Sequence, residues 1–125
     1  MLSHVSLGVS DLARAGAFYD RAFAPLGLVR STPAKDQEIA YGRPGEAEFF
    51  LYPAKPGESI VGAGTHFALS APSRAVVDAF GAAAAEAGAK LLRETGRPAH
   101  LPASYYGAFI SDLDGHKIEV VFESP

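Results

Sequence analysis

The sequence predicts an α+β protein in which two βαβββ modules form a half-open β-barrel with the helices outside. Two short strand patterns, residues 3–9 and 65–71, carry a histidine in second place and lead directly into helix signals. Each helix signal is followed by stop residues and then by short apolar runs typical of strands. The order of elements therefore occurs twice, which is the sequence signature of an internal repeat.

A Pro- and Gly-rich stretch lies between the two copies and is predicted to be a linker. This places the first module at residues 1–53, the linker at 54–63 and the second module at 64–123. At 125 residues the chain is expected to be one domain, 1–125.

The helices of the two modules are predicted from their first and last residues. Asp11 and Ser73 are N-cap residue types, because their side chains accept hydrogen bonds from unpaired N–H groups of the first turn. The first helix should end at residues 25–27, where proline and glycine occur, and the second, predicted over 73–88, at Gly88.

Composition excludes several classes of function. The chain has no cysteine, which removes disulfides, thiolate catalysis, zinc fingers and iron–sulfur clusters. Eleven basic against fourteen acidic residues provide no cationic excess for a nucleic-acid backbone. No apolar run is long enough for a membrane span, and the N-terminus does not resemble a signal peptide. We expect a cytoplasmic protein with no nucleic-acid or membrane partner.

Alternation along the strands predicts which side chains face a cavity between the modules. In the first strand Val5 and Leu7 belong to the apolar face that should meet the helix, so His4 points to the other side. The same argument turns His66 and Glu119 toward the cavity. Two imidazoles and one carboxylate on rigid strands suit a divalent ion such as Fe, Mn, Ni, Co or Zn. Three protein ligands leave coordination positions open for water and substrate.

Matching the turn at Gly45 with the turn at Gly115 places Phe49 at the position that corresponds to Glu119. A phenyl ring cannot bind a metal ion, so this alignment favours three ligands. The adjacent Glu48 is turned to the other face, and a shift of one residue in register would exchange the two.

Other residues are candidates for the pocket or for catalysis. The pocket-lining candidates are Ser6, Phe49, Ala68 and Tyr106. Residues 94–105 are predicted to form a loop, and loops over a cavity often carry specificity. His100 in that loop and Tyr106 are the catalytic candidates, with an exposed loop position and a packing role as the alternatives. His116 is interpreted as a turn residue.

Several segments together resemble the glyoxalase/bleomycin resistance protein/extradiol dioxygenase family, the vicinal oxygen chelate superfamily. They are residues 3–12 (SHVSLGVSDL), 17–20 (AFYD), 64–69 (GTHFAL) and 106–120 (YGAFISDLDGHKIEV). The resemblance covers nearly the whole chain. It implies the glyoxalase-like fold of paired modules. It also implies a homodimer. The two modules that enclose a cavity then come either from one chain or from two.

The resemblance also implies a function. His4, His66 and Glu119 match family metal-ligand positions on the first, fifth and eighth strands. The expected protein is a metal-dependent lyase, dioxygenase or thiol transferase that acts on a small oxygenated organic substrate by chelating its vicinal oxygens. Lactoylglutathione lyase activity is not expected, because Phe49 replaces the fourth ligand. The alternative is a non-catalytic protein of the bleomycin-resistance type that sequesters a small molecule.

Overall fold

The structure, a computed structural model, describes residues 1–31 and 37–124. Within these described residues, eight strands and two α-helices follow one another in the order β-α-β-β-β, twice. They are β1 (Val5–Val9), α1 (Leu12–Phe23), β2 (Val29–Arg30), β3 (Ile39–Gly42), β4 (Phe49–Pro53), β5 (His66–Ser70), α2 (Arg74–Glu86), β6 (Lys90–Gly96), β7 (Tyr105–Ser111) and β8 (Lys117–Glu123). Neither of these two helices is long and apolar enough to cross a membrane.

The strands form two four-stranded sheets with the same topology. Their orders are β1-β4-β3-β2 and β5-β8-β7-β6. In each sheet the first and last strands of the module pair in parallel and the remaining pairs are antiparallel. A helix and two further strands connect the parallel pair, which needs such a long connection. The described strands do not close into a barrel. The predicted fold class, two βαβββ modules with half-open sheets, is confirmed.

Both helices begin at the predicted caps. The Asp11 side chain accepts a hydrogen bond from the Arg14 amide at 3.0 Å, and Ser73 accepts one from the Val76 amide at 3.3 Å. Gly88 has a φ of +108°, a conformation that favours glycine, just after α2 ends. Both helices end slightly before their predicted stops: α1 ends at Phe23 and a short 3-10 turn continues to Leu26, and α2 ends at Glu86, two residues earlier than predicted.

Each sheet buries one face against its own helix, and the two helices contact each other. The side chains with almost no exposure come from the inward faces of strands and helices. They include Val9, Tyr19, Phe23, Tyr41, Leu51, Val77, Phe80, Ile110, Ile118 and Val120. Burying a side chain of this size contributes about 1.5–3 kcal/mol, so these positions fix the strand faces.

The turn between β7 and β8 fastens the second module to the first. Buried Asp112 accepts a hydrogen bond from the Tyr19 hydroxyl on α1 at 2.5 Å. The Ser10 amide donates to Asp114 at 3.2 Å. His116 is only 5% exposed, and its Nε2 lies 2.7 Å from the Gly8 carbonyl oxygen, which can only accept. His116 thus follows the turn as predicted and, in addition, ties the two modules together.

The strand register corrects the position assigned to Phe49. Phe49 pairs with Val5 on the core side of β1 and is 3% exposed, with its ring 5.3 Å from that of Tyr19. Phe50 pairs with Ser6 in the first sheet, as Glu119 pairs with Ala68 in the second. Phe50, and not Phe49, therefore occupies the position that corresponds to Glu119.

The error has a simple physical cause. Phe50 lies five residues after Gly45, whereas Glu119 lies four residues after Gly115. The first module has one more residue between its turn and its last strand, and one residue moves every following side chain to the opposite face. The expectation of three ligands is unchanged, because a phenyl ring again stands where a fourth carboxylate would be.

This register predicts that two adjacent substitutions lower the free energy of unfolding by very different amounts. Phe49→Glu buries a carboxylate in the core and should destabilise the fold by more than about 4 kcal/mol. Phe50→Glu places the same group on the uncovered face and should cost less than about 1.5 kcal/mol. Urea unfolding followed by circular dichroism measures both values. Equal losses in the two variants would contradict the register.

The Tyr19–Asp112 contact predicts how stability depends on pH. Burial, and then the neighbouring charge of Asp112, raise the pKa of Tyr19 well above its ordinary value near 10. The folded state therefore holds the phenol proton more tightly than the unfolded chain does. Stability from this residue is fully present below about pH 10 and is lost as the pH rises further.

Urea unfolding between about pH 8 and about pH 11, a range that brackets the ordinary tyrosine pKa, compares the unmodified chain with Tyr19→Phe. We expect a smaller loss above about pH 10 in Tyr19→Phe than in the unmodified chain. Tyr52→Phe is the comparison variant, because the Tyr52 hydroxyl donates to Glu38 at an exposed position. That hydrogen bond also raises the pKa of Tyr52, but solvent weakens its effect on stability, so the change in profile should be smaller than for Tyr19→Phe. Identical profiles for the unmodified chain and Tyr19→Phe would contradict the account.

Candidate functional site

The face of each sheet that lies away from its helix carries the predicted site residues. On β5, His66, Ala68 and Ser70 are exposed and alternate with Phe67 and Leu69, which pack against the core. On β8, Glu119 alternates with buried Ile118 and Val120 in the same way. The faces follow from strand alternation, as the sequence indicated.

His66 and Glu119 lie together on the uncovered face of the second sheet. The Nε2 atom of His66 is 3.6 Å from Oε1 of Glu119. The Glu119 side chain is only 14% exposed, whereas that of His66 is 46% exposed and open to the outside. The edge of the His66 ring contacts Phe109, with the ring centroids 5.5 Å apart. This strand pair therefore presents one imidazole nitrogen and one carboxylate oxygen side by side.

The second oxygen of Glu119 is held by two residues that were not predicted from the sequence. The Tyr105 hydroxyl donates a hydrogen bond to Oε2, and Arg93 donates to the Tyr105 oxygen. The Arg93 guanidinium also lies 3.5 Å from Oε2. Burial, and then the hydrogen bond to Glu119, raise the pKa of Tyr105 to about 12, so the phenol keeps its proton at neutral pH.

Strand alternation could have revealed Tyr105 but not Arg93. Tyr105 lies four residues before Phe109 on β7 and shares its face, but the sequence predicted a loop over residues 94–105. The structure instead extends β6 to Gly96 and begins β7 at Tyr105. Arg93 lies between two irregularities in the β6–β7 register, so alternation along β6 does not predict its direction.

His4 does not join the pair on β5 and β8 of its own chain. Its ring lies edge-on to Phe50 at 5.3 Å, on the uncovered face of the first sheet, and is exposed. Among residues 1–31 and 37–124 of one chain, no three His, Cys, Asp or Glu side chains come together as a metal site. The uncovered faces thus carry His4 in one place and His66 with Glu119 in another.

The remaining candidates are distributed between the two faces. Ser6 and Ala68 lie exposed on the uncovered faces, paired with Phe50 and Glu119 respectively. Tyr106 lies on the helix side of β7, where its hydroxyl donates to Asp78 of α2 at 2.6 Å. This contact gives Tyr106 the packing role that was its alternative interpretation, and removes it from the predicted pocket.

His100 is exposed in the segment between β6 and β7. A separate cavity of about 460 Å³ opens beside the start of β1. Its walls are mainly apolar and come from both modules; they include Leu26, Leu28, Phe49 and Leu69, and His4 lines it as well. Because Phe49 lies on the core side of its sheet, it lines this cavity and does not lie on an uncovered face.

The donors on the second sheet fit a divalent metal ion. Two ligand atoms about 2.0–2.2 Å from one metal at a tetrahedral angle stand roughly 3.5 Å apart. The Nε2 and Oε1 atoms are 3.6 Å apart before any rearrangement. Nitrogen and oxygen donors suit the metals from manganese to zinc. A three-ligand site of the kind expected from the sequence would need one donor beyond these two.

Comparisons with known proteins agree with this architecture. The family model of the Glyoxalase/Bleomycin resistance protein/Dioxygenase superfamily matches residues 1–120. A glyoxalase/bleomycin resistance protein from Albidiferax ferrireducens T118 is 29% identical, with 99% of each chain covered and a TM-score of 0.84. The uncharacterized protein PA2024 of Pseudomonas aeruginosa is 28% identical over 99% of this chain and 89% of its own length.

A more distant structure shares the fold. It is a point mutant of the fosfomycin resistance protein FosX from Listeria monocytogenes, in complex with Mn(II) and dihydroxypropylphosphonic acid. It is 18% identical, with 99% of this chain and 90% of FosX covered and a TM-score of 0.72. The repeated βαβββ order, the uncovered faces and the match over residues 1–120 lead to one conclusion: the chain belongs to the Glyoxalase/Bleomycin resistance protein/Dioxygenase superfamily.

Proposed function

We propose that this chain is a divalent-metal-dependent enzyme whose metal is held by His66 and Glu119 of one chain and by His4 of a second copy. The observation that carries the proposal is the 3.6 Å approach of His66 Nε2 to Glu119 Oε1 on an uncovered sheet face. His4 lies on the equivalent face of the other module and does not reach that pair within the chain.

A second copy is supported by the edges of the sheets. β1 and β5 each stand at the end of their sheet and pair on one side only among the described strands. Such edges have unused backbone donors and acceptors that readily pair with another chain. If β1 of one copy lies beside β5 of the other, His4 is brought to the strand next to His66. A two-fold axis then produces two identical sites per dimer.

The donor set and the residues around it support Lewis-acid chemistry on an oxygen-containing substrate. A bound divalent ion supplies a Lewis acid that polarises substrate oxygens. Around it, this chain offers Phe109 as an apolar wall and Arg93 as a positive charge next to Glu119. Together with the superfamily to which the chain belongs, these groups support a small oxygenated organic substrate that binds through two neighbouring oxygens. Membership of the superfamily supports the use of a metal ion, and so does FosX, which shares the fold and was crystallised with Mn(II).

A second candidate, sequestration of a small molecule without catalysis, is favoured by one observation. The rings of Phe50 and Tyr52 stack parallel on the uncovered face of the first sheet, 6.3 Å apart with an interplanar angle of 5°. Their pairing with Ser6 and Gly8 places them on the same face as His4. A stacked aromatic pair of this kind, with Phe50 half-buried and Tyr52 exposed, suits a flat aromatic ligand.

Heterodimers of two defective chains test the proposed composite site. His4→Ala and His66→Ala homodimers each lack one ligand at both sites and should bind no stoichiometric metal. A heterodimer isolated with two different affinity tags has one intact site and one that lacks both histidines. We therefore expect about half of the unmodified metal content per chain, measured by elemental analysis after metal loading.

His100→Ala in both tagged chains is the matched control, because His100 is exposed outside both sheets. Heterodimers that bind no metal would contradict a site shared between chains. Metal content that survives His66→Ala in the homodimer would contradict the site itself.

A further inference from the structure

Building on the metal site of the proposed function, we propose that Tyr105, itself fixed by Arg93, is a positioning residue that keeps one oxygen of Glu119 turned toward the metal. The proposal rests on the arrangement of three side chains on the uncovered face of the second sheet. It concerns residues outside the set His4, His66 and Glu119.

The direction of the hydrogen bonds is fixed by the chemistry of the donors. A guanidinium group only donates, so the Tyr105 oxygen accepts from Arg93. The phenol has one hydrogen, and it is directed to Oε2 of Glu119, since a carboxylate only accepts. The chain of bonds therefore runs from Arg93 through Tyr105 to Glu119, and it cannot reverse while the carboxylate is ionised.

These hydrogen bonds give the two oxygens of Glu119 different roles: one is held by the protein and the other faces His66. Oε2 is bound by Tyr105, with the Arg93 guanidinium 3.5 Å away. Oε1 is left facing His66 Nε2 at 3.6 Å. A ligand that is already oriented loses less rotational freedom when metal binds, and outer partners of this kind are worth about 10–100-fold in metal affinity.

The backbone makes room for this arrangement. Tyr105 lies across Gly107, its second neighbour on β7, and a Cβ atom at Gly107 would overlap the phenol oxygen. Arg93 is held over two aromatic rings, with its guanidinium carbon 5.3 Å from the Tyr105 centroid and 5.5 Å from that of Phe109. Position 107 is therefore a place where a small residue decides where the hydroxyl lies.

Cobalt(II) alone is a suitable probe, because its visible absorption reports both binding and the arrangement of ligands. In Tyr105→Phe the ring remains but Oε2 loses its phenol donor and keeps only the longer 3.5 Å contact with Arg93. We expect cobalt(II) to bind about tenfold or more weakly. The absorption of bound cobalt(II) should also change, because Glu119 is then held less firmly and can offer either oxygen.

Gly107→Ala should reproduce the effect without removing the hydroxyl group, since the new methyl would overlap the Tyr105 oxygen and ring and displace them from their present position. Tyr106→Phe is the matched control, because its hydroxyl bonds Asp78 on the helix side. It should keep the unmodified affinity and spectrum. Thermal unfolding of each variant confirms that the chains compared are folded.

The outcomes separate this proposal from the one on which it rests. Weaker binding and a changed spectrum in Tyr105→Phe and Gly107→Ala, but not in Tyr106→Phe, support the positioning role. If His66→Ala abolishes cobalt(II) binding while Tyr105→Phe binds as the unmodified chain does, only the positioning role is overturned. If the unmodified chain does not bind cobalt(II), or binds it independently of His66, both proposals are overturned.

Discussion

Each four-stranded sheet of this chain has a single helix, and a single helix can cover only one face of a sheet. Val9, Leu51, Ile118 and Val120 fill the covered faces and are fully buried. The opposite faces carry His4 in the first module and His66 with Glu119 in the second. Because successive side chains alternate between faces, the packing of the core also decides which groups are offered to a ligand.

The same constraint explains why the proposed metal site is well defined on one side and takes its remaining ligand from a second copy. Glu119 lies in the middle of a strand whose neighbours on either side are buried, and its carboxylate is held by Tyr105 and Arg93. That half of the site is well defined within one chain. The other half is remote because the modules of a chain meet through their helices and through the Asp112–His116 turn, not through their uncovered faces. A second copy is the simplest source of the missing ligand.

The sequence predicted the fold well because its signals were local and repeated: alternation in strands, caps at Asp11 and Ser73, and glycine stops. It predicted the faces of His66 and Glu119 for the same reason. It misplaced Phe49 because one additional residue after Gly45 inverts every following face, and a turn length cannot be read from a weak repeat. Arg93 was not predicted as a site residue because irregular pairing of β6 with β7 interrupts the alternation of side chains. Tyr106 was predicted to line the pocket, but it lies on the helix side of β7, and its neighbour Tyr105 occupies the uncovered face.

The central claim is that the uncovered faces of two copies complete one metal site. Anomalous diffraction from a crystal of the manganese-loaded protein tests it most directly, since the signal locates the metal without assumptions about its ligands. The account predicts one manganese peak per chain, bonded to His66 and Glu119 of one chain and to His4 of the partner subunit. A peak held by residues of one chain only, or one that lies away from His66 and Glu119, would contradict it.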